Sequence, residues 1–126
     1  MAKEMNPVCW FEIPVSDMKR AKKFYEKVFG CKLKPEKMGP CDMAMFPMQQ
    51  EACGAGGSLI KVEGCSKPSH DGTLVYFAVE AIEPALKKIE KAGGKTLMPR
   101  TPIGQYGFIA HFEDSEGNRV ALHSLK

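Results

Sequence analysis

The sequence predicts an α+β protein made of two tandem βαβββ units, and three observations carry that prediction. The stretch Trp10-Phe-Glu-Ile-Pro-Val-Ser-Asp17 alternates its side chains with period two and then runs into a helical pattern. The same pattern returns 64 residues later, from Leu74. Aligned without a gap, Trp10 to Leu33 against Leu74 to Leu97 gives seven identities in 24 positions, among them Val15 with Val79, Gly30 with Gly94 and Leu33 with Leu97. The agreement of roles says more than the identities. Strand end, apolar helix stripe, glycine stop and the apolar residue of the next strand all fall in register.

Taken in order, Val8 to Val15 is a strand with Cys9, Phe11, Ile13 and Val15 on one face and Trp10, Glu12 and Pro14 on the other. Ser16 or Asp17 accepts hydrogen bonds from the first free amides of the following helix. Met18, Ala21, Phe24, Tyr25 and Val28 form its apolar stripe, and Gly30 ends it as a left-handed cap. Short strands are expected at Cys31 to Pro35 and Asp42 to Met48, with Met38 to Pro40 turning between them. A loop over residues 49 to 56 precedes a strand from Gly57 to Val62. Residues 63 to 73, holding Gly64, Pro68 and Gly72, read as a linker. The second unit then repeats the plan: a strand from Leu74 to Glu80, a helix from Ile82 to Ala92 with Pro84 in its first turn, and the stop Gly93-Gly94. Strands follow at Lys95 to Met98, Tyr106 to Phe112 and Asn118 to Ser124. The units span about 8–62 and 74–124 of a single domain covering residues 1–126.

At 126 residues the chain is of a size for one compact core. No apolar run approaches the roughly 18 residues of a membrane helix, and the start Met-Ala-Lys-Glu-Met-Asn-Pro lacks the apolar segment of a signal peptide, so a cytoplasmic protein with no membrane partner is expected. The cysteines Cys9, Cys31, Cys41, Cys53 and Cys65 are odd in number and widely spaced. They signal free thiols and neither a disulfide framework nor a paired zinc motif. Lys19, Arg20, Lys22, Lys23 and Lys27 lie along one helix and read as a solvated face; without a groove-reading motif, no nucleic-acid partner is expected. Met38, Met43, Met45 and Met48 read as flexible filler of the core in preference to an adaptable ligand surface. His70, in the linker, is assigned no role.

If each helix covers the alternating apolar side of its sheet, the opposite sides can curve toward each other and enclose a hollow. Parity assigns to that hollow Trp10, Glu12, Gly57, Leu59, Leu74, Tyr76, Ala121 and His123, a mixture of aromatic, acidic and imidazole groups that a structural interior would rarely choose. The side on which His111 falls is left open, because Phe108, Ala110 and Phe112 compete with Gly107 and Ile109 for the inward face.

The paired units, the opening Phe-Glu-Ile-Pro-Val-Ser-Asp-Met-Lys-Arg-Ala-Lys-Lys-Phe-Tyr-Glu-Lys-Val-Phe-Gly, the Gly-Gly-Lys at 93 to 95 and the closing Phe-Glu-Asp-Ser-Glu-Gly-Asn-Arg-Val-Ala-Leu together resemble the vicinal oxygen chelate superfamily. Glyoxalase I, extradiol dioxygenases, fosfomycin-resistance enzymes and bleomycin-binding proteins are among its members. The resemblance implies a cupped fold and a homodimer. It also implies that the metal ligands of metal-dependent members correspond here to Trp10, about Gly57, Leu74 and Ala121. None of these offers the imidazole nitrogen or carboxylate oxygen that a divalent ion requires. No cofactor is therefore expected, and a divalent metal only at a displaced site drawn from Glu12, His123, His111 and Glu113.

Three functions follow from this reading. The first is a metal-free protein of this kind that binds a small, largely apolar or aromatic organic molecule in the cup. Trp10, Leu59, Leu74, Tyr76 and Ala121 would supply contact, while Glu12 and His123 fix orientation or act as an orienting carboxylate and a base. The second is a metal-dependent lyase or dioxygenase, related to lactoylglutathione lyase, using the displaced site. The third is a ligand-free assembly module. Against these stand plainer readings: Trp10 as core packing, Glu12 as a solvated strand residue, His123 as a surface histidine.

Overall fold

A computed structural model describes residues 6–64 and 67–126; Met1 to Met5, Cys65 and Ser66 lie outside the described residues, and with them the expected free thiol of Cys65. The duplicated βαβββ order is what the chain adopts. Unit 1 comprises β1 (Trp10–Pro14), α1 (Met18–Phe29), β2 (Lys34–Met38), β3 (Cys41–Met45) and β4 (Gly56–Lys61). Unit 2 comprises β5 (Tyr76–Ala78), α2 (Ile82–Lys91), β6 (Lys95–Pro102), β7 (Phe108–Glu113) and β8 (Arg119–Ser124). The two four-stranded sheets have the matching orders β1-β4-β3-β2 and β5-β8-β7-β6. In each, the first strand lies parallel to the last, and the remaining pairs are antiparallel. Among the described residues no helix is long and apolar enough to cross a membrane. Cys9, Cys31, Cys41 and Cys53 are free thiols.

Asp17 caps α1 by accepting the amide of Arg20 at 3.0 Å, and Gly30 closes it with φ +60°, a conformation L side chains rarely adopt. The strand expected from Cys31 begins only at Lys34. Residues 31 to 33 instead complete the helix exit, where the Cys31 amide donates to the Glu26 carbonyl and the Leu33 amide to the Glu26 carboxylate at 2.8 Å. The strand expected to stop at Met98 continues to Pro102. As an edge strand with two register shifts, β6 absorbs Pro99 where no ladder donor is needed. The strand expected from Tyr106 starts at Phe108, after a 3-10 turn at Gly104–Tyr106 and the positive φ of Gly107.

One core serves both units. Ile13, Val15, Phe24, Tyr25, Leu59, Ile89, Phe112 and Leu122 belong to a single buried cluster. Phe77 of β5 stacks on Phe29 of α1 with centroids 4.5 Å apart and meets Phe11 of β1 edge-on at 5.7 Å. The β7–β8 turn ties this core to unit 1. Asp114, only 3% exposed, accepts the Tyr25 hydroxyl at 2.7 Å, and Asn118 donates to the carbonyl of Pro14 at 2.8 Å. Glu116, whose side chain is fully covered, accepts the backbone amides of Ser16 and Asp17 and pairs with Arg20 at 2.7 Å. Unit 2 thus supplies an anion to the helix N-terminus of unit 1, where the dipole and unsatisfied amides favour negative charge.

Burial alone would push the Glu116 carboxyl up. The hydrogen bonds from Arg20, the Asp17 amide, Ser115 and the Ser16 amide outweigh it and hold the group below the usual carboxylate range. A folded-state value below the unfolded one means the contribution is complete above roughly pH 4.3 and is lost as pH falls through the folded value. Glu116→Gln is therefore expected to unfold about 1–2 kcal/mol more easily at pH 7, with the gap to the parent narrowing as pH falls below the usual carboxylate range and through the folded value, in urea titrations across an acid pH series. A gap that persists at low pH would refute the ionic cap.

Candidate ligand-binding site

Residues paired across neighbouring strands point to the same face, so the strand registers decide which side chains line the hollow. Phe11 pairs with Gly57 and Ile13 with Leu59, whereas Trp10 pairs with Gly56, Glu12 with Ser58 and Pro14 with Ile60. Gly57 and Leu59 therefore lie on the core face. Leu59 is fully buried in the core cluster, and a Cβ on Gly57 would run into the Phe11 ring. The expected placement of both in the hollow is off by one residue, and the cause is a length difference between the units. Glu12 corresponds to Tyr76 at the 64-residue offset, but Glu12 pairs with Ser58 and Tyr76 with Ala121, so β4 and β8 are related by 121 − 58 = 63 residues. The counterpart of Ala121 is Ser58, not Gly57.

On the open face of unit 1, Trp10 and Glu12 of β1 share a side of the sheet, across β4, with Met43, Met45 and Cys41 of β3, and Met38 lies opposite Cys41. These methionines are absent from the core cluster and line a cavity of about 780 Å³ together with Trp10 and Glu12. The reading of them as core filler is corrected for Met38 and Met45: alternation along β3 turns Ala44 into the main core and Met43 and Met45 to the opposite face, where Met43 is still buried at 6% exposure. Met48 also leans over Gly56, occupying the place a side chain there would take.

A second cavity, of about 650 Å³, runs along the junction of the units. Its wall includes Trp10, Glu12, Leu74, Tyr76, Lys67 and Arg119. Trp10 and Glu12 border both spaces. The register also resolves the β7 ambiguity. His111 pairs with Ala121, and Ala121 with Tyr76, so all three share the open face while Ala110 and Phe112 enter the core. The Tyr76 ring meets His111 nearly edge-on, with centroids 6.2 Å apart.

His111 Nδ1 lies 2.9 Å from Nη1 of Arg119. A guanidinium only donates, so Nδ1 is the acceptor and the neutral ring carries its proton on Nε2, which is covered and without a partner among the described residues. Burial, then the charge of Arg119, lowers the His111 pKa and keeps the ring neutral.

The structure does not bring Glu12 and His123 into a pair. Glu12 accepts the Trp10 indole N–H at 3.3 Å, whereas His123 Nε2 lies 2.7 Å from the carbonyl oxygen of Tyr106 and borders neither cavity. The displaced metal set is likewise dispersed, since Glu113 contacts His70 at 2.7 Å and His111 is held by Arg119. Among the described residues no group of three His, Cys, Asp or Glu side chains could hold a metal ion. The four positions related by the repeat are Trp10, Ser58, Leu74 and Ala121. Their indole, hydroxyl, isobutyl and methyl groups do not fit a divalent ion, although Ser58 Oγ is buried without a hydrogen-bond partner among the described residues.

Arg119, Lys67 and the sulfur-bearing face were missed by sequence reasoning. The signal for the last was present, because Cys41, Met43 and Met45 repeat at the two-residue spacing of one strand face. His70, given no role from sequence, pins the linker to the end of β7.

A family model for the Glyoxalase/Bleomycin resistance protein/Dioxygenase superfamily matches residues 8–122. A glyoxylase-like domain-containing protein of Didymella fabae is 31% identical over 115 residues, covering 88% of each chain. Among solved structures, glyoxalase I from Zea mays is similar with a TM-score of 0.70 and 25% identity. That match covers 94% of this chain but 46% of the maize chain, so the present chain spans less than half of that protein. A glyoxylase/bleomycin resistance protein/dioxygenase domain from Frankia sp. EAN1pec shares the fold with a TM-score of 0.74 at 17% identity, over 96% of this chain and 98% of the other.

Proposed function

We propose that this chain, which belongs to the Glyoxalase/Bleomycin resistance protein/Dioxygenase superfamily, binds a small, largely apolar organic molecule against the open face of β1. The observation that carries this is Trp10, an aromatic wall shared by two cavities and flanked by unbranched, polarizable methionines that can repack around varied shapes. Tyr76 and Leu74 extend the contact surface on the unit 2 side, whereas Ala121 is fully covered and borders neither cavity. No divalent ion has a part in this proposal, because three of the four repeat-related side chains offer no donor atom and the fourth, Ser58, offers a single neutral hydroxyl. Assembly of two copies is part of the same proposal, a state that light scattering would distinguish from a monomer.

Trp10 is the chain's single tryptophan and a built-in reporter. Titration with the neutral dye phenyl-naphthylamine is expected to quench its emission saturably, with one dye per chain. Met45→Ala is expected to weaken binding roughly tenfold through lost apolar contact. Unquenched emission across the titration would reject the proposal.

A further inference from the structure

We propose that the junction cavity selects ligands carrying an anionic oxyacid group, a carboxylate or its chemical equivalent, and that Arg119 is the residue that anchors it. This rests on the binding reading above and specifies the class of molecule bound.

Arg119 carries a charge that its neighbours among the described residues do not neutralise. Arg119 opens β8 directly opposite Glu113 of β7, the cross-strand position where an opposite charge would ordinarily be paired. The pair is not made. The Glu113 carboxylate turns instead to His70 of the linker at 2.7 Å, and Arg119 reaches along the open face to His111 Nδ1 at 2.9 Å. Among the described residues Arg119 forms no ion pair. Its partner is a neutral imidazole, which can accept a hydrogen bond and fix the guanidinium's direction but leaves its positive charge intact. One N–H of the five is used in this way. The planar fork suits a carboxylate or sulfonate, which it can engage through two parallel hydrogen bonds.

The surroundings specify the remainder of the ligand. Arg119 is half-buried in the wall of the cavity that also holds Trp10, Leu74 and Tyr76, with Lys67 as a second cation. Glu12 is the single acidic residue in that wall among the described residues, and it is bonded to the Trp10 indole. Like-charge repulsion from Glu12 sends an anionic group toward Arg119 and leaves the apolar body against Trp10. The fitting molecule is an apolar or aromatic acid, held more tightly than a neutral compound of the same ring structure.

Two fluorescent probes of similar ring structure test this: anilinonaphthalene sulfonate, which bears an anion, and neutral phenyl-naphthylamine. Energy transfer from Trp10 reports whether each dye sits in the cup. In Arg119→Gln the sulfonate is expected to bind about tenfold more weakly while the neutral dye changes less than twofold, and Arg119→Lys falls between. Should the glutamine variant fail to fold, a tenfold rise in sodium chloride on the parent protein gives the same discrimination, weakening the sulfonate alone. Equal responses of the two dyes to the substitution, or to salt, would overturn the anionic anchor while leaving the cup as a binding site. If neither dye receives energy from Trp10, the binding reading falls and the anchor with it.

Discussion

Asp114→Ala is expected to destabilise the protein by about 3–5 kcal/mol, lowering Tm by roughly 10–20 °C. The carboxylate is buried and accepts four hydrogen bonds: from the Tyr25 hydroxyl, the Asn118 side-chain amide, and the backbone amides of Glu116 and Asn118, at 2.7 to 3.0 Å. Alanine would leave the buried donors of Tyr25 and Asn118, and the part-buried amide of Glu116, without this acceptor, and an unsatisfied buried donor costs about 1–3 kcal/mol. Tyr25, fully buried and with its phenol pushed well above its ordinary pKa by burial and then by the Asp114 charge, would remain neutral and unpartnered. Tyr25→Phe removes one donor and keeps the acceptor, so a smaller loss of about 1.5–3 kcal/mol is expected. Urea unfolding of both variants checks the order. An Asp114→Ala loss below about 1 kcal/mol would show that the turn does not organise the core.

Gly107→Ala is expected to cost about 3 kcal/mol or more. Gly107 has φ +104° and ψ −129°, outside the regions open to L side chains, and an added Cβ would run into the backbone carbonyl of Ser124. Backbone on both sides must move, because Ile103 donates to the Gly107 carbonyl and the Tyr106 carbonyl is held by His123. Gly104→Asn is the control. Its φ of +69° is left-handed but a Cβ there meets nothing, so the loss is expected to stay near 1 kcal/mol. Comparable losses in the two variants would show that the close approach to Ser124 carries no penalty.

The duplicated architecture was legible because its signals are local and repeated. Period two in Phe11, Ile13 and Val15, the cap at Asp17, the stop at Gly30 and the counterpart strand around Phe77 each follow from a handful of neighbouring residues. The open face of unit 2 was partly legible in the same way, through Tyr76 and Ala121. The open face of unit 1 was misread at Gly57 and Leu59, because Gly54-Ala-Gly-Gly57 contains almost no apolar alternation from which to count parity. A one-residue length difference then exchanged the two faces of β4. Contacts between distant side chains left no pattern to read. Glu116, at the N-terminus of α1, and His70 beside Glu113 have neighbours 96 to 100 and 43 residues away in the chain. Arg119 sat within a recognisable closing motif, but its role depends on where Glu113 turns, which only the folded chain specifies.

The carboxylate that seats α1 lies about a hundred residues downstream of the amides it binds. During vectorial synthesis the first half therefore leaves the ribosome before its own helix end can be completed. Its Tyr25 hydroxyl must likewise wait for the acceptor supplied by Asp114. The halves repeat one design without being autonomous. A chain truncated ahead of the last hairpin would lack both the seat and the acceptor, and long-range closure of this sort makes for slow, all-or-none folding.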